Sequence, residues 1–412
     1  MSRKIFCIVN PHLRDRNGHY FEYDHSLIEP ARKKGYEVLV LGHKQVEAAI
    51  AAIMPVKKVF SREIWQTFPL ITTIPQVGRK VSTLIENILF YRKLRATLNP
   101  KIITSEWVIF SDMVCHNQLL AWAWWFRNLP RQVSPRLVLL FRYSSDWFEY
   151  WSSHQMTCEA FRILNLANFD NKLCLCSDSD RLAKEYSRFT TEPLTVVPIP
   201  HTTYTITQEN PLTQPQPLKS LGFVSLGNAR DEKGFLDILQ AIKILHQSGE
   251  LDKFTFILQA NNISSYFIPP EELLSAVEEV KSLNLANVYF ICDTLSSEEY
   301  YRLLQKADVV LLPYWRSIYV SRTSGIFTEA LAAGKPVIVT EDTWMSEQLS
   351  QDGAGVLCRD RDSNDLVRAI LKIAAHYEDY ANKAKTAKDI WLQKHNPDAL
   401  LEALVPPSVN VK

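Results

Sequence analysis

Short apolar runs bounded by polar turns recur along the chain, and most are followed by a stretch whose apolar residues return every three or four positions. Ile5–Val9 predicts a strand, followed by a polar loop to Gly18. A helix from about His19 to Lys34 carries Phe21, Leu27, Ile28 and Ala31, with Pro30 as a point of kinking or splitting. Gly35 ends it, and Glu37–Leu41 gives the next strand. Residues 45 to 75 show no clear period. Val81–Leu98 predicts an amphipathic helix rich in Arg and Lys, Trp107–Phe110 a strand, Asn117–Phe126 a helix and Leu137–Phe141 a strand. Lys172–Cys176 is a further strand, then a helix from Asp178 to Arg188, then an extended segment Leu194–Pro198.

Residues 208–219, Gln-Glu-Asn-Pro-Leu-Thr-Gln-Pro-Gln-Pro-Leu-Lys, are rich in Pro and Gln and have no periodicity, which marks a linker. The alternation then restarts. Leu221–Leu226, Phe254–Gln259, Val288–Cys292 and Val309–Pro313 read as strands, Phe235–His246 and Ser297–Lys306 as helices. Two last helices cover about Ser363–Tyr380 and Ala381–Lys394. Strands alternating with helices imply α/β domains with doubly wound parallel sheets. The expected layout is a domain over 1–207, the linker, a second domain over 220–385, and a C-terminal helix and tail over 386–412 that packs back on the first domain.

Composition narrows the class. A chain of 412 residues exceeds one ordinary core and fits two domains. It is 46% hydrophobic and 22% charged, as in a globular protein. A net charge of +1 gives no whole-protein case for nucleic-acid binding. The apolar run after Met1-Ser2-Arg3-Lys4 is too short for a signal-peptide core, and no window is apolar enough to span a bilayer. Seven cysteines without regular spacing suggest reduced thiols and a cytoplasmic setting. Cys174 and Cys176 share a face of one strand and read as buried packing.

The stretch from Ser324 to Val339 carries the most chemistry. Ser324 and Gly325 open a helix, Gly334 closes it, Pro336 prevents its continuation, and Val337–Val339 is a buried strand. The amides at such a helix start, Gly325 and Ile326 among them, suit a phosphate. Inside the helix, Glu329 can accept hydrogen bonds from a sugar diol. On spacing alone the segment is an ordinary helix–strand unit with a surface Glu. Its wording, however, resembles the donor-binding segment of the family-4 retaining glycosyltransferases of the GT-B fold. That pattern is Glu, seven residues, Glu, then small residues, Gly, Lys, Pro and a valine-rich strand. Glu329 matches its second Glu, while Ser321 stands where the first is expected. The resemblance implies two Rossmann-like domains facing across a cleft, a ribose contact at Glu329, and a diphosphate held by the loop before it. The missing first Glu bears on contacts to the sugar.

Three other places gain weight from that resemblance. Gly227-Asn228-Ala229-Arg230-Asp231-Glu232-Lys233-Gly234 joins a strand to a helix, and Lys233-Gly234 matches the family's Lys-Gly. Gly227, Lys233 and Arg230 are thereby donor-binding candidates, with Arg230 two places later than the family's Arg. By themselves these residues form a solvated charged turn. Gly18, in the loop after the first strand, permits close backbone approach, and His19 is a ligand contact or a structural residue. Arg142 ends the strand Leu137–Phe141 where the family often has His. A guanidinium stays protonated and cannot act as a base, but it can stabilise a leaving phosphate, bind an anionic acceptor, or form an interdomain ion pair. Arg142, His19 and His116 make up the candidate catalytic set, with Asp112 beside His116.

The tryptophans Trp122, Trp124, Trp125, Trp147 and Trp151 are dense enough for core packing, sugar stacking or interfacial membrane contact, the last helped by Arg79, Lys80, Arg92, Lys93 and Arg95. The Asp-x-Asp pairs Asp178-Ser179-Asp180 and Asp360-Arg361-Asp362 are not placed for a nucleotide-sugar metal, so no metal and no cofactor are expected. The expectation is an enzyme that moves a sugar from a nucleoside-diphosphate sugar to a saccharide, lipid-linked or small-molecule acceptor, with retention. The alternative is a protein of this fold that binds nucleotide sugars or regulates with little turnover. A phosphorylase of the same fold would need a pyridoxal-phosphate lysine motif, which is not evident.

Overall fold

A computed structural model of the chain describes residues 3–16, 19–62, 75–168, 171–191, 194–200, 220–261, 263–265 and 267–406. Two compact units form, Met1–Pro200 with His395–Lys412, and His201–Lys394. The expected linker, residues 208–219, lies outside the described residues.

The first unit contains β1 (Ile5–Val9), α1 (His19–Lys33), β2 (Glu37–His43), α2 (Ala48–Ile53), β3 (Val56–Phe60), α3 (Pro75–Thr97), β4 (Val108–Ser111), α4 (His116–Arg127), β5 (Arg136–Phe141), α5 (Ser145–Trp151), α6 (His154–Ala167), β6 (Leu173–Ser177), α7 (Asp180–Tyr186) and β7 (Thr195–Val196). The strands pair in parallel in the order β3-β2-β1-β4-β5-β6-β7. Strands covered on both faces need near-continuous apolar runs, and β5 shows one, with Leu137 to Phe141 all fully buried. One face packs on Trp122, Phe148, Phe161 and Tyr186, the other on Leu27, Ile28 and Ala31 of α1. Helix α1 runs through Pro30 without splitting and stops at Gly35, whose φ is 81°.

The second unit contains β8 (Leu221–Ser225), α8 (Phe235–Gln247), β9 (Phe254–Gln259), α9 (Pro270–Ser282), β10 (Val288–Ile291), α10 (Ser297–Lys306), β11 (Val309–Leu312), α11 (Arg316–Tyr319), α12 (Gly325–Ala332), β12 (Val337–Thr340), α13 (Trp344–Asp352), β13 (Gly355–Cys358), α14 (Ser363–Ala375) and α15 (Tyr377–Lys394). Its parallel order is β10-β9-β8-β11-β12-β13. The break between the last two helices falls at His376, earlier than the sequence pattern places it. Helix α15 packs on α12 and α13, so the second unit extends past residue 385 to Lys394. The final helix α16 (Pro397–Leu404) belongs to the first unit. There Leu400, Leu401 and Leu404 enter the core beside α1, and Arg136 Nε donates to the Leu404 carbonyl at 2.9 Å.

Two segments left open by the sequence pattern hold defined elements among the described residues, with 63–74 lying outside them. Residues 45 to 75 include α2 and the strand β3, whose exposed Lys57 and Lys58 hide its β pattern. Helices α5 and α6 fill the gap between β5 and β6.

Candidate donor site at the second switch point

In a doubly wound sheet, ligands bind beyond the carboxyl ends of the strands where the winding reverses. The second sheet reverses between β8 and β11. Strand β8 ends at Ser225, and the chain turns at Gly227 with φ 85°. The Gly227 amide donates to Gln259 Oε1 at 2.6 Å, which fixes the turn against the end of β9. A single 3₁₀ turn, Asp231–Lys233, follows, and Gly234 with φ 65° starts α8. Asp231 holds this turn in place. It accepts from Ser265 Oγ at 2.7 Å and from the Phe267 amide at 2.8 Å.

This geometry aims Lys233 back over the turn. A Cβ built on Gly227 would lie 2.8 Å from Lys233 Nζ and 2.7 Å from Ile326 Cδ1. Glycine therefore leaves the space that brings the amine and the start of α12 together. Burial lowers the Lys233 amine to about 7, and the cations Arg230 and Arg322 push the same way, against Glu232 and Glu329. Arg230 Nε lies 2.9 Å from Glu232 Oε1 in a pair that is largely buried. The sequence-expected pair of cations is thus present, but Arg230 is already matched by a carboxylate.

Ser324 caps α12, accepting the Phe327 amide at 3.3 Å. That leaves the amides of Gly325 and Ile326 at the helix start, where unpaired N–H groups and the helix dipole favour an anion. Glu329, one turn further on, accepts a short hydrogen bond from Tyr300 Oη of α10. Burial, then the adjacent Glu329 carboxylate, raises the Tyr300 phenol well above its usual range, so it stays a donor. Gly227, Arg230, Lys233, Ser324, Gly325, Ile326 and Glu329 are therefore gathered at one end of the sheet.

Two residues of this place were not singled out from sequence. Arg322 lies among the charges around Lys233, its guanidinium 5.4 Å from the centre of the Tyr319 ring. A basic residue just before a helix cap was the available signal. Tyr300 lies on a different helix, and nothing local in sequence links it to Glu329. Ser321, at the position of the family's first Glu, is buried at 6% exposure.

The first unit reverses between β1 and β4, and its switch point has the opposite character. The residues that follow four neighbouring strands, Asn10, Asp112, Arg142 and Asp178, converge there. Asn10 Nδ2 donates to Asp24 Oδ2 at 2.7 Å and to Asp112 Oδ2 at 3.2 Å. Arg142 Nε sits 3.6 Å from Asp178 Oδ2, with the guanidinium 4.0 Å over the Tyr23 ring. Arg142 thus forms an ion pair inside one unit. Burial raises Asp112 to about 6, and burial with the neighbouring Asp112 raises Asp24 well above its usual range.

His116 starts α4 but turns into the core. Its ring stacks on Trp151 with centroids 5.0 Å apart, in a pocket with Leu119, Leu120 and Phe148. Burial lowers the imidazole to about 3. This packing places His116, one of the expected catalytic set, among core side chains. Gly18 and the side chain of His19 lie outside the described residues. The tryptophans divide: Trp122 and Trp125 are buried at 0% and 2%, whereas Trp147 is 37% exposed. Of the Asp-x-Asp carboxylates, Asp178 pairs with Arg142, Asp360 accepts the Arg316 amide at 3.0 Å, and Asp362 caps α14.

Comparison with known proteins agrees with this layout. Residues 208–390 match the family model described as "Glycosyl transferases group 1". No curated protein sequence matches the chain significantly. Among solved structures, a protein described as trehalose-6-phosphate from E. coli, bound with UDP-2-fluoro glucose, is 12% identical at a TM-score of 0.69, covering 97% of this chain and 98% of that one. Sucrose-phosphate synthase from Thermosynechococcus elongatus is 15% identical, with a TM-score of 0.62 over 98% and 97%. Anabaena HepE, solved with UDP-glucose, is 14% identical, with a TM-score of 0.61 over 97% and 98%. The two-sheet α/β fold is that of the GT-B glycosyltransferases.

Proposed function

We propose that the protein is a retaining, family-4-like glycosyltransferase that takes a sugar from a nucleoside-diphosphate sugar. The observation that carries this reading is the convergence of Lys233, Gly227 and the start of α12 at the second switch point. In this reading the diphosphate lies on the Gly325 and Ile326 amides, with Lys233 as a point charge and Arg322 as a second cation. Glu329, held by Tyr300, accepts from the ribose hydroxyls. The cations stabilise the charge that develops on the departing diphosphate. The acceptor, a saccharide, lipid-linked or small molecule, belongs to the first unit's switch point, where carboxylates and Asn10 suit hydroxyl groups rather than an anion. In this reading the reaction needs no metal: of the Asp-x-Asp carboxylates Asp178 pairs with Arg142, Asp360 accepts the Arg316 amide and Asp362 caps α14, while Asp180 is exposed on α7. Seven unbridged cysteines fit a cytoplasmic setting.

Release of free nucleoside diphosphate from a panel of nucleotide sugars, with excess chelator and with and without candidate acceptors, tests the proposal. Turnover with one donor in chelator is expected. Binding of a donor without release of diphosphate would favour the alternative of a binding or regulatory protein, for which Ser321 in place of a carboxylate is the motive. Turnover restored only by magnesium or manganese would contradict the metal-free reaction.

A further inference from the structure

Between α5 and α6 the chain makes a short, fixed corner. Ser153 caps α6 by accepting the Met156 amide at 3.0 Å. Ser152 Oγ donates to the Phe148 carbonyl at 2.6 Å and lies 2.8 Å from Thr157 Oγ1, which ties the two helices together. The corner gathers three side chains that the donor site does not use. His154 opens α6, Cys158 stands one turn later on the same face, and Glu149 comes from the last turn of α5. Glu149 Oε1 lies 2.9 Å from His154 Nδ1, and His154 Nε2 lies 3.3 Å from Cys158 Sγ. A carboxylate only accepts, so Nδ1 carries the ring proton and Nε2 is left to accept from the thiol. Arg188 Nη2, 3.1 Å from the same Glu149 oxygen and 3.0 Å from Asp146, holds the carboxylate in place.

A thiol against a histidine that a carboxylate orients is the arrangement that activates a sulfur nucleophile. We propose that Cys158 is a modification site that takes the disulfides of small thiols, forming a mixed disulfide by exchange. His154 Nε2 accepts the thiol proton as Cys158 Sγ attacks one sulfur of the disulfide. The new S–S bond forms as the old one breaks, and the departing thiolate takes the proton from the imidazolium. One disulfide is consumed and one thiol released, so no further oxidant is required. Access agrees with this role, since the His154 side chain is 63% exposed and Cys158 is half-buried. The other thiols of the first unit are closed off. Burial pushes Cys7 up to about 12 and Cys115 above its usual range. Cys174, which a hydrogen bond from Cys176 lowers to about 6, is buried in the core that holds Leu400 and Leu401.

The test is the rate at which each cysteine of the full chain reacts with oxidised glutathione at neutral pH, followed by peptide mass spectrometry. Cys292, exposed and beside Lys281 in the second unit, is the internal reference. Exposure alone ranks Cys292 first. Cys158 is instead expected to react about tenfold faster, because an ordinary thiol is only a few per cent thiolate near neutral pH. His154→Gln should remove that excess, with an unchanged melting curve, and Glu149→Gln should remove part of it. If either variant does not fold, the other carries the comparison. Dithiothreitol should release the adduct. Equal or slower reaction at Cys158, labelling of Cys174 in its place, an adduct that dithiothreitol leaves intact, or an unaltered rate in the folded variants would overturn the proposal.

Discussion

Lys233 is where charge and burial conflict most visibly. A lysine amine ordinarily keeps its proton to about pH 10.4, yet here it titrates at about 7. The sign follows from linkage. Between those values the folded form is neutral while the unfolded form is charged, so this residue's contribution to stability falls as pH drops from about 10 to about 7 and then levels off. A bound diphosphate favours the charged amine. Affinity for a nucleotide sugar, whose own phosphates do not titrate in this range, should therefore weaken as pH rises above about 7, and binding near pH 8 should take up nearly one proton per site. Titration calorimetry in two buffers of different ionisation enthalpy checks this. Identical heats in both would show that Lys233 does not meet the phosphates.

Short turns between strands and helices position the chemistry at the scale of elements, and Gly234 is the sharpest case. Its φ is 65°, and a Cβ on it would lie 2.0 Å from the Pro313 carbonyl oxygen at the end of β11. Only glycine lets the Lys233 turn press against the neighbouring strand end. Gly234→Ala should cost roughly 2–4 kcal/mol from backbone strain and overpacking, lowering the second unit's melting transition by roughly 5–15 °C. An unchanged melting curve would show that the contact is not tight. The Lys-Gly motif was readable only through the family resemblance, since by themselves its residues read as a solvated charged turn. The apolar strands β1, β5 and β9 were readable because their runs are continuous. Strand β3 was not, since its two central residues are lysines facing solvent. Helices α5 and α6 were obscured by aromatic and polar residues that mask a clean period. Arg142 was legible as the end of a strand but not in its partners. Its partners Tyr23, Asp112 and Asp178 come from three other elements, and only the fold brings them together.

Across the whole molecule, one sheet architecture occurs twice with opposite chemistry at its switch points. The first collects Asp24, Asp112 and Asp178 around a single Arg142, and the second collects Lys233, Arg230 and Arg322 around Glu232 and Glu329. The proposed diphosphate site is the second. The dissociation constant of a nucleoside diphosphate, measured by calorimetry for the wild type, Lys233→Ala and Asp24→Asn, tests that assignment most directly. Asp24→Asn is the matched control, because burial already favours the uncharged form of that carboxyl. Loss of a hydrogen bond to a charged group costs roughly 1.5–3 kcal/mol, so Lys233→Ala should weaken binding by about 10- to 150-fold, with Asp24→Asn close to wild type. Unchanged affinity in Lys233→Ala, or an equal loss in Asp24→Asn, would contradict a donor site in the second unit.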